Sequence, residues 1–146
     1  MKKISPASSF TMNLWTLSTI ASKKIDGKLG SIHGISFTEY MVLFHLKHSD
    51  TRSVRRIDLA QNLGLTPSGV TRLLAPLEKI GLIQKEVNER DARVSLVQIS
   101  SSGERVLDEA TLSLEEISNF LLQGINANSL KESLAVFKLI NKENST

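Results

Sequence analysis

Ile57-Asp-Leu-Ala60-Gln-Asn-Leu-Gly64-Leu-Thr-Pro-Ser-Gly-Val70 reads as two short helices joined by a tight turn. Ala60 is small enough to let a second helix cross closely, and Gly64 can take the positive φ that such a turn requires. Leu65 and Val70 are placed to pin the second helix onto the first. Thr66 is an N-cap, and Pro67 stands at N1, where its missing N–H costs nothing. Val70, Leu73, Leu74, Leu77 and Ile80 then fall on one face, which predicts a helix over 66–80 stopped by Gly81. Ser68, Thr71, Arg72, Ala75 and Lys79 are left on the opposite side. Pro76 sits in the interior and removes the backbone bond to Arg72, so a mild kink is expected there.

Regular patterns continue on both sides of this unit. Upstream, a short helix over 55–63 precedes Gly64, and Ser36-Phe-Thr-Glu39 is a capping box opening a helix that carries Tyr40, Met41 and Phe44 towards His48. Phe10, Leu14, Leu17, Ala21 and Ile25 step by three or four, the stripe of one long helix face. Downstream, strands over 83–87 and 94–99 enclose the charged tip Asn88-Glu-Arg-Asp-Ala-Arg93, a hairpin. Ser101-Ser-Gly-Glu104 reads as another capping box. It starts a long helix in which Leu107, Ala110, Leu114, Ile117 and Leu121 form a seam suited to a partner helix. Ser129-Leu-Lys-Glu132 caps a last helix with Leu130, Leu134 and Phe137 on one side. The fold class is mainly α (α+β), in the order α-α-α-α-β-β-α-α. Helix, turn, helix and hairpin in succession is the winged helix-turn-helix arrangement, here over 36–100.

Composition narrows the function. The chain has 146 residues and no cysteine, which excludes disulfides, thiolate zinc sites, thiol catalysis and any cysteine-based redox switch. Its mean hydropathy is −0.06, and no apolar run approaches the ~20 residues of a membrane span. No secretion signal is apparent, so a cytoplasmic location is expected. Residues 1–100 hold 14 Lys/Arg against 8 Asp/Glu, whereas 101–146 hold 4 against 7. A basic front of this kind suits an anionic partner, with nucleic acid the leading candidate.

The chain resembles the MarR-type regulators, a family of prokaryotic winged-helix transcription factors. The resemblance rests on Arg56-Ile-Asp-Leu-Ala-Gln-Asn-Leu-Gly-Leu65, on Val70-Thr-Arg-Leu-Leu-Ala-Pro-Leu-Glu-Lys-Ile-Gly-Leu-Ile83, and on Glu89-Arg-Asp-Ala-Arg-Val94. Asp91-x-Arg93 matches the family's wing motif, while Ile99-Ser100 stands where the family usually has a Leu-Thr pair. The motifs span about 36–105; the flanking helices match in length and order only. The resemblance implies a homodimeric repressor of pseudo-palindromic double-stranded DNA, with dimerisation helices over 8–30 and 101–143. It also implies that 66–80 is the recognition helix, that Arg72 contacts a base or phosphate, that Arg93 reaches the minor groove, and that Asp91 steadies the wing.

The residues themselves fit these roles. A helix N-terminus offers N–H groups and a positive dipole to phosphate. The hydroxyls of Thr66, Ser68 and Thr71 can reach phosphate or base edges, Gly69 allows close approach, and Arg72 can pair bidentately with guanine. Arg55, Arg56 and Arg90 add candidate backbone contacts; a solvated helix face and a charged loop tip are the plainer readings of the same residues. Trp15, Phe37, Tyr40 and Met41 fall where the family often keeps an effector pocket, for a small apolar or aromatic ligand, although core packing explains them equally well. His33, His45 and His48, with Glu39, form the one conceivable metal set, but they lack a cysteine and flank an amphipathic helix, so no metal and no cofactor are expected. No catalytic constellation stands out. The competing non-enzymatic reading is a winged-helix interaction module without DNA binding, which would have no use for arginines at both 72 and 93.

Overall fold

A computed structural model describes residues 3–87, 89–91 and 93–144. The elements follow the order α1 (Pro6–His33), α2 (Phe37–Lys47), β1 (Ser53–Arg55), α3 (Arg56–Leu63), α4 (Pro67–Lys79), β2 (Ile83–Val87), β3 (Ser95–Ile99), α5 (Ser101–Leu121) and α6 (Ala127–Asn144). Strand β1 is an addition to the expected order. It pairs antiparallel with β3, Val54 opposite Val97, and β3 pairs antiparallel with β2, Lys85 opposite Val97, giving the sheet order β1-β3-β2. Three residues are too few to show alternation in sequence; the strand exists because β3 offers it a ladder.

The core is built where the helix-turn-helix meets α2, the sheet and the first half of α5. Leu43, Leu46, Leu59, Val70, Leu74, Leu77, Val97 and Leu107 are all buried there. Helix α2 begins as expected, with the Ser36 hydroxyl accepting from the Glu39 amide at 3.1 Å. Two other caps differ from expectation. Helix α5 is capped by Ser100, whose hydroxyl accepts from the Gly103 amide at 3.0 Å, not by Ser101. The Ser100 hydroxyl also donates to the Gly81 carbonyl, and its amide to that of Leu82. These extra partners select it from three consecutive serines. Helix α6 is capped by Asn126, whose side chain accepts from the Ser129 amide at 2.8 Å, so Ser129 lies inside the first turn.

Two apolar stripes also find different surroundings from those expected. In α5, Leu107, Ala110 and Ile117 are buried, and Leu114 and Leu121 pack against the same core. That seam is occupied within the chain. In α1 only Ile25 of the predicted stripe is buried, with Ala21 half-buried and Phe10, Leu14 and Leu17 exposed. Helix α6 buries no residue at all. Polar contacts tie α1 and the winged region to α5: Lys28 of α1 to Glu116 at 2.6 Å, Lys47 to Asp108 at 2.5 Å, Arg52 to Glu104 at 2.6 Å, and the Tyr40 hydroxyl to Thr111 at 3.0 Å.

Candidate nucleic-acid interface

Gly64 ends α3 at φ +64°, and the Leu65 amide reaches back to the Ala60 carbonyl at 2.9 Å. This is a Schellman-type stop, and it aims the chain into α4. Leu65 itself is 37% exposed, so the pinning expected of its side chain is done by Val70, which is fully buried. The Thr66 hydroxyl accepts from the Gly69 amide at 3.1 Å and so consumes one of the N–H groups at the start of α4. With Pro67 next, the Ser68 amide and the helix dipole are what remain for an anion.

Buried Val70, Leu74 and Leu77 hold one face of α4 against the core, and Ser68, Thr71, Arg72, Ala75 and Lys79 are exposed on the other. Ile80 was expected on the apolar face, but it is the C-cap and lies 58% exposed beyond the last turn. The Thr71 hydroxyl donates to the Pro67 carbonyl at 3.1 Å. Gly69 has an internal reason to lack a side chain: a Cβ there would stand 3.1 Å from the Thr66 Oγ1 that caps the helix. Arg72 is exposed, and its guanidinium has no partner among the described residues.

The other candidate arginines sit in distinct environments. Arg55 forks onto Asp58, its Nε and Nη2 donating at 2.6 and 2.9 Å, and this carboxylate raises its pKa further. Arg56 lies between α3 and α4, with its Nη1 3.4 Å from the Thr71 hydroxyl. On the wing, Arg90, Asp91 and Arg93 are exposed, while Asn88 and Ala92 of the expected tip lie outside the described residues. Asp91 acts through a hydrogen bond, accepting from the Arg93 amide at 3.0 Å, rather than by charge pairing with its side chain. Arg55, Arg56 and Arg93 line one cleft of about 260 Å³ together with Ile57, Val94 and Ser95.

Residues 33–94 match the model of the MarR family. The HTH-type transcriptional regulator PapX of Escherichia coli is 26% identical over 111 residues, 76% of this chain and 65% of PapX. The matched stretch is therefore less than two thirds of that relative's length. The fold superimposes on a MarR family transcriptional regulator of Streptomyces coelicolor solved in complex with DNA, at a TM-score of 0.83 and 20% identity over 98% of this chain and 90% of that one. Residues 33–94 are thus similar to the MarR family, and the chain has the winged helix-turn-helix fold of these structures. A further structure of the same fold is CouR of Rhodococcus jostii RHA1 bound to p-coumaroyl-CoA, at a TM-score of 0.83 and 19% identity over 95% and 96% of the two chains.

The four residues expected to line an effector pocket do not come together. Phe37 and Tyr40 stack with centroids 6.0 Å apart, and Met41 packs against the same core. Trp15 is 71% exposed and makes no ring contact with them. It sits eleven residues before Asp26, the residue whose carboxylate accepts from the Phe37 amide, which is about 16 Å along α1. The histidines are engaged separately. His33 Nε2 bonds the Ser113 hydroxyl at 2.9 Å, and His48 Nδ1 bonds the Phe44 carbonyl at 2.8 Å. Among the described residues no three metal-ligating side chains converge.

His45 lines a larger polar cleft of about 740 Å³, with Gln61, Asn62, Leu63, Gly64, Asn141 and Asn144. Partial burial, and secondarily His48, hold its pKa below the usual 6.5. The unfolded chain therefore binds more protons than the folded one between the folded pKa and 6.5. Stability contributed by neutral His45 is complete above pH 6.5 and is lost as the pH falls towards the folded value. Urea midpoints at pH 7.5 and 5.5 should differ less in His45→Gln than in the wild type; an unchanged difference removes His45 as a source.

What sequence reasoning overlooked is concentrated at the arginine cleft. Ile57 is 63% exposed on the helix-turn-helix surface, and Val94 and Ser95 line the same cleft. An isolated isoleucine beside two arginines was the available signal.

Proposed function

We propose that the chain is a DNA-binding transcriptional regulator that works as a homodimer on a pseudo-palindromic operator, as a cytoplasmic repressor released by a small ligand. The observation that carries this reading is α4: its inner face is locked by Val70, Leu74 and Leu77, and its outer face presents Ser68, Thr71 and an Arg72 without a partner among the described residues, beside a cleft lined by arginines. A 13-residue helix is about 20 Å long, enough to lie across a major groove. Two such helices must stand about one turn of DNA apart, ~34 Å, which calls for a second copy. Among the described residues the site holds no pair of carboxylates and no activated nucleophile, so the reading is of a regulator and not an enzyme.

Support for ligand release comes from CouR, a structural neighbour bound to p-coumaroyl-CoA. Since Trp15 stands apart from Phe37, Tyr40 and Met41, the ligand seat in this reading is formed near the latter three and completed by the dimer. A panel of apolar and aromatic acids that left operator affinity unchanged would count against release of this kind.

Footprinting on DNA adjoining the protein's own gene tests the core of the proposal. Arg72→Ala should then cost about 1–3 kcal/mol on the footprinted site and relax preference at one base pair per half-site. Equal affinity of mutant and wild type across single-base operator variants would take Arg72 out of the interface.

A further inference from the structure

We propose that the polar cleft between α2, the turn after α3 and the last turn of α6 binds a neutral, hydroxyl-rich small molecule of the sugar class. The cleft measures about 740 Å³, within the range of about 300–1,000 Å³ that small-molecule sites occupy. It shares no lining residue with the arginine cleft, nor with the group of Phe37, Tyr40 and Met41.

The lining selects against charge. The chain carries 18 Lys/Arg and 15 Asp/Glu, yet among the described residues no such side chain lines this cleft. His45 is neutral at neutral pH, because partial burial and secondarily His48 hold its pKa below 6.5. An ionic ligand would give up its water here and find no counter-charge in exchange. What the cleft offers instead is donors and acceptors in pairs. Gln61, Asn62, Asn141 and Asn144 are all amides, each with a carbonyl oxygen beside an NH₂ group. Neutral His45 adds one donor and one acceptor nitrogen. A hydroxyl both donates and accepts, and neighbouring hydroxyls on one ring present two such oxygens side by side. An amide can give to one of them and accept from the other.

The backbone adds acceptors to this set. The stop at Gly64 uses the carbonyls of Ala60 and Gln61. Those of Asn62 and Leu63 come last in α3 and have no helical amide ahead of them, so they call for donors. Asn144 is oriented by its own helix, its Nδ2 donating to the Ile140 carbonyl at 2.8 Å. Gly64 leaves open space where a Cβ would stand, and half-buried Leu63 beside it gives an apolar edge for the C–H face of a puckered ring. No Phe, Tyr or Trp lines the cleft among the described residues, so a planar aromatic ligand would find only the His45 ring to stack on. The two walls belong to separate parts of the fold. Helix α6 buries none of its side chains, and a ligand held by Asn62 and Asn141 ties it to the turn that aims α4.

The test uses the full chain, with glucose, galactose, maltose and lactose as probes, followed by nitrogen-15 NMR of the side-chain amides and imidazoles. At least one of these sugars should saturate at about 1 mM or below, shifting the amide signals of Asn62 and Asn141 together with the His45 ring. General exclusion of sugar from the protein surface grows steadily with concentration and does not tell epimers apart, so glucose and galactose should differ. Asn62→Ala and Asn141→Ala replace exposed side chains outside the core, and each should weaken binding about tenfold, the worth of one hydrogen bond. Gln123→Ala, exposed beyond α5, should leave it unchanged. Failure of all four sugars to saturate, equal and unsaturated shifts with the two epimers, or a loss at one wall and not the other would each overturn the site. Tighter binding of gluconate, glucosamine or adenosine than of any of the four sugars would overturn the ligand class. If dilution alone moves the Asn62 and Asn141 signals and sugar does not, a second copy of the chain fills the cleft and the proposal falls. No DNA enters the measurement, so failure here leaves the DNA-binding reading intact, and a protein that footprints no DNA leaves this site intact.

Discussion

Gly103→Ala should lower the melting temperature of this protein by roughly 6 °C, although it places alanine inside a helix. The usual effect of that exchange is a gain of about 1 kcal/mol in helix propensity. Here the new Cβ would stand 2.1 Å from the Leu82 carbonyl oxygen and 2.8 Å from Cγ1 of Ile99. Neither neighbour can withdraw cheaply. The Leu82 carbonyl is backbone and already accepts from the Ser100 amide at 3.0 Å, while Ile99 is a buried member of β3. Relief therefore requires α5 to move away from the turn before β2, and α5 is the helix to which the whole winged region is tied. Overpacking of this severity costs about 3 kcal/mol, at the upper end of its ordinary range, leaving a net loss near 2 kcal/mol after the propensity gain. Gly27→Ala is the contrasting case. Gly27 is in α1 with nothing within 4 Å of an added Cβ, and the same exchange should stabilise by about 0.5–1 kcal/mol. Calorimetry of both variants at one protein concentration checks the pair. A Gly103→Ala protein that melts at or above the wild type would falsify the close approach.

How far the sequence disclosed this molecule depends on whether the deciding interaction was local. Gly64, Thr66 and Pro67 act on their own neighbours within four residues, so the helix-turn-helix could be read directly, and the cap at Ser36 likewise. Strand β1 was hidden because its reason for being is Val97, more than forty residues away. The serines at 100, 101 and 102 are indistinguishable in a string. Only the folded chain brings Gly81 and Leu82 to Ser100 and makes it the cap. The apolar seam of α5 was visible as a seam, but its occupant was not, since a stripe does not say which surface covers it. Among the candidate site residues, exposure was readable and engagement was not. Arg55 and Arg72 look alike in sequence, yet one is bound to Asp58 and the other has no partner among the described residues. Arg56 and Arg93 lie far apart along the chain, and only the sheet brings them to one cleft.

The proposed dimer gives the other large effect: Leu14→Asp combined with Leu17→Asp should convert the protein to monomer and cost at least about 100-fold in operator affinity, the avidity of a second half-site. The ground for it is α6. This 18-residue helix buries none of its side chains, whereas most helical stability in proteins comes from packing an amphipathic face. Its outward residues include Leu134, Val136, Phe137, Leu139 and Ile140, all at least 36% exposed. The first half of α1 shows Phe10, Met12, Leu14, Trp15, Leu17 and Ile20 in the same condition. Two neighbouring helices that expose this much apolar surface need a cover, and in a closed pair each copy offers the other the same patch. Between them Phe10, Leu14, Leu17 and Phe137 shape an apolar slot of about 320 Å³ that a partner side chain can fill. Leu14 and Leu17 are 39% and 55% exposed, so charging them disturbs this slot and leaves the buried core of the winged region intact. Light scattering should give about twice 16.1 kDa for the wild type at micromolar concentration and 16.1 kDa for the variant, with far-ultraviolet dichroism of the winged region retained. Trp15, the sole indole, reports independently: covered in the dimer, it should shift its emission to the red in the variant. A wild-type mass of 16.1 kDa across that range would leave α6 without its cover and end the dimer reading, whatever the DNA affinity proved to be.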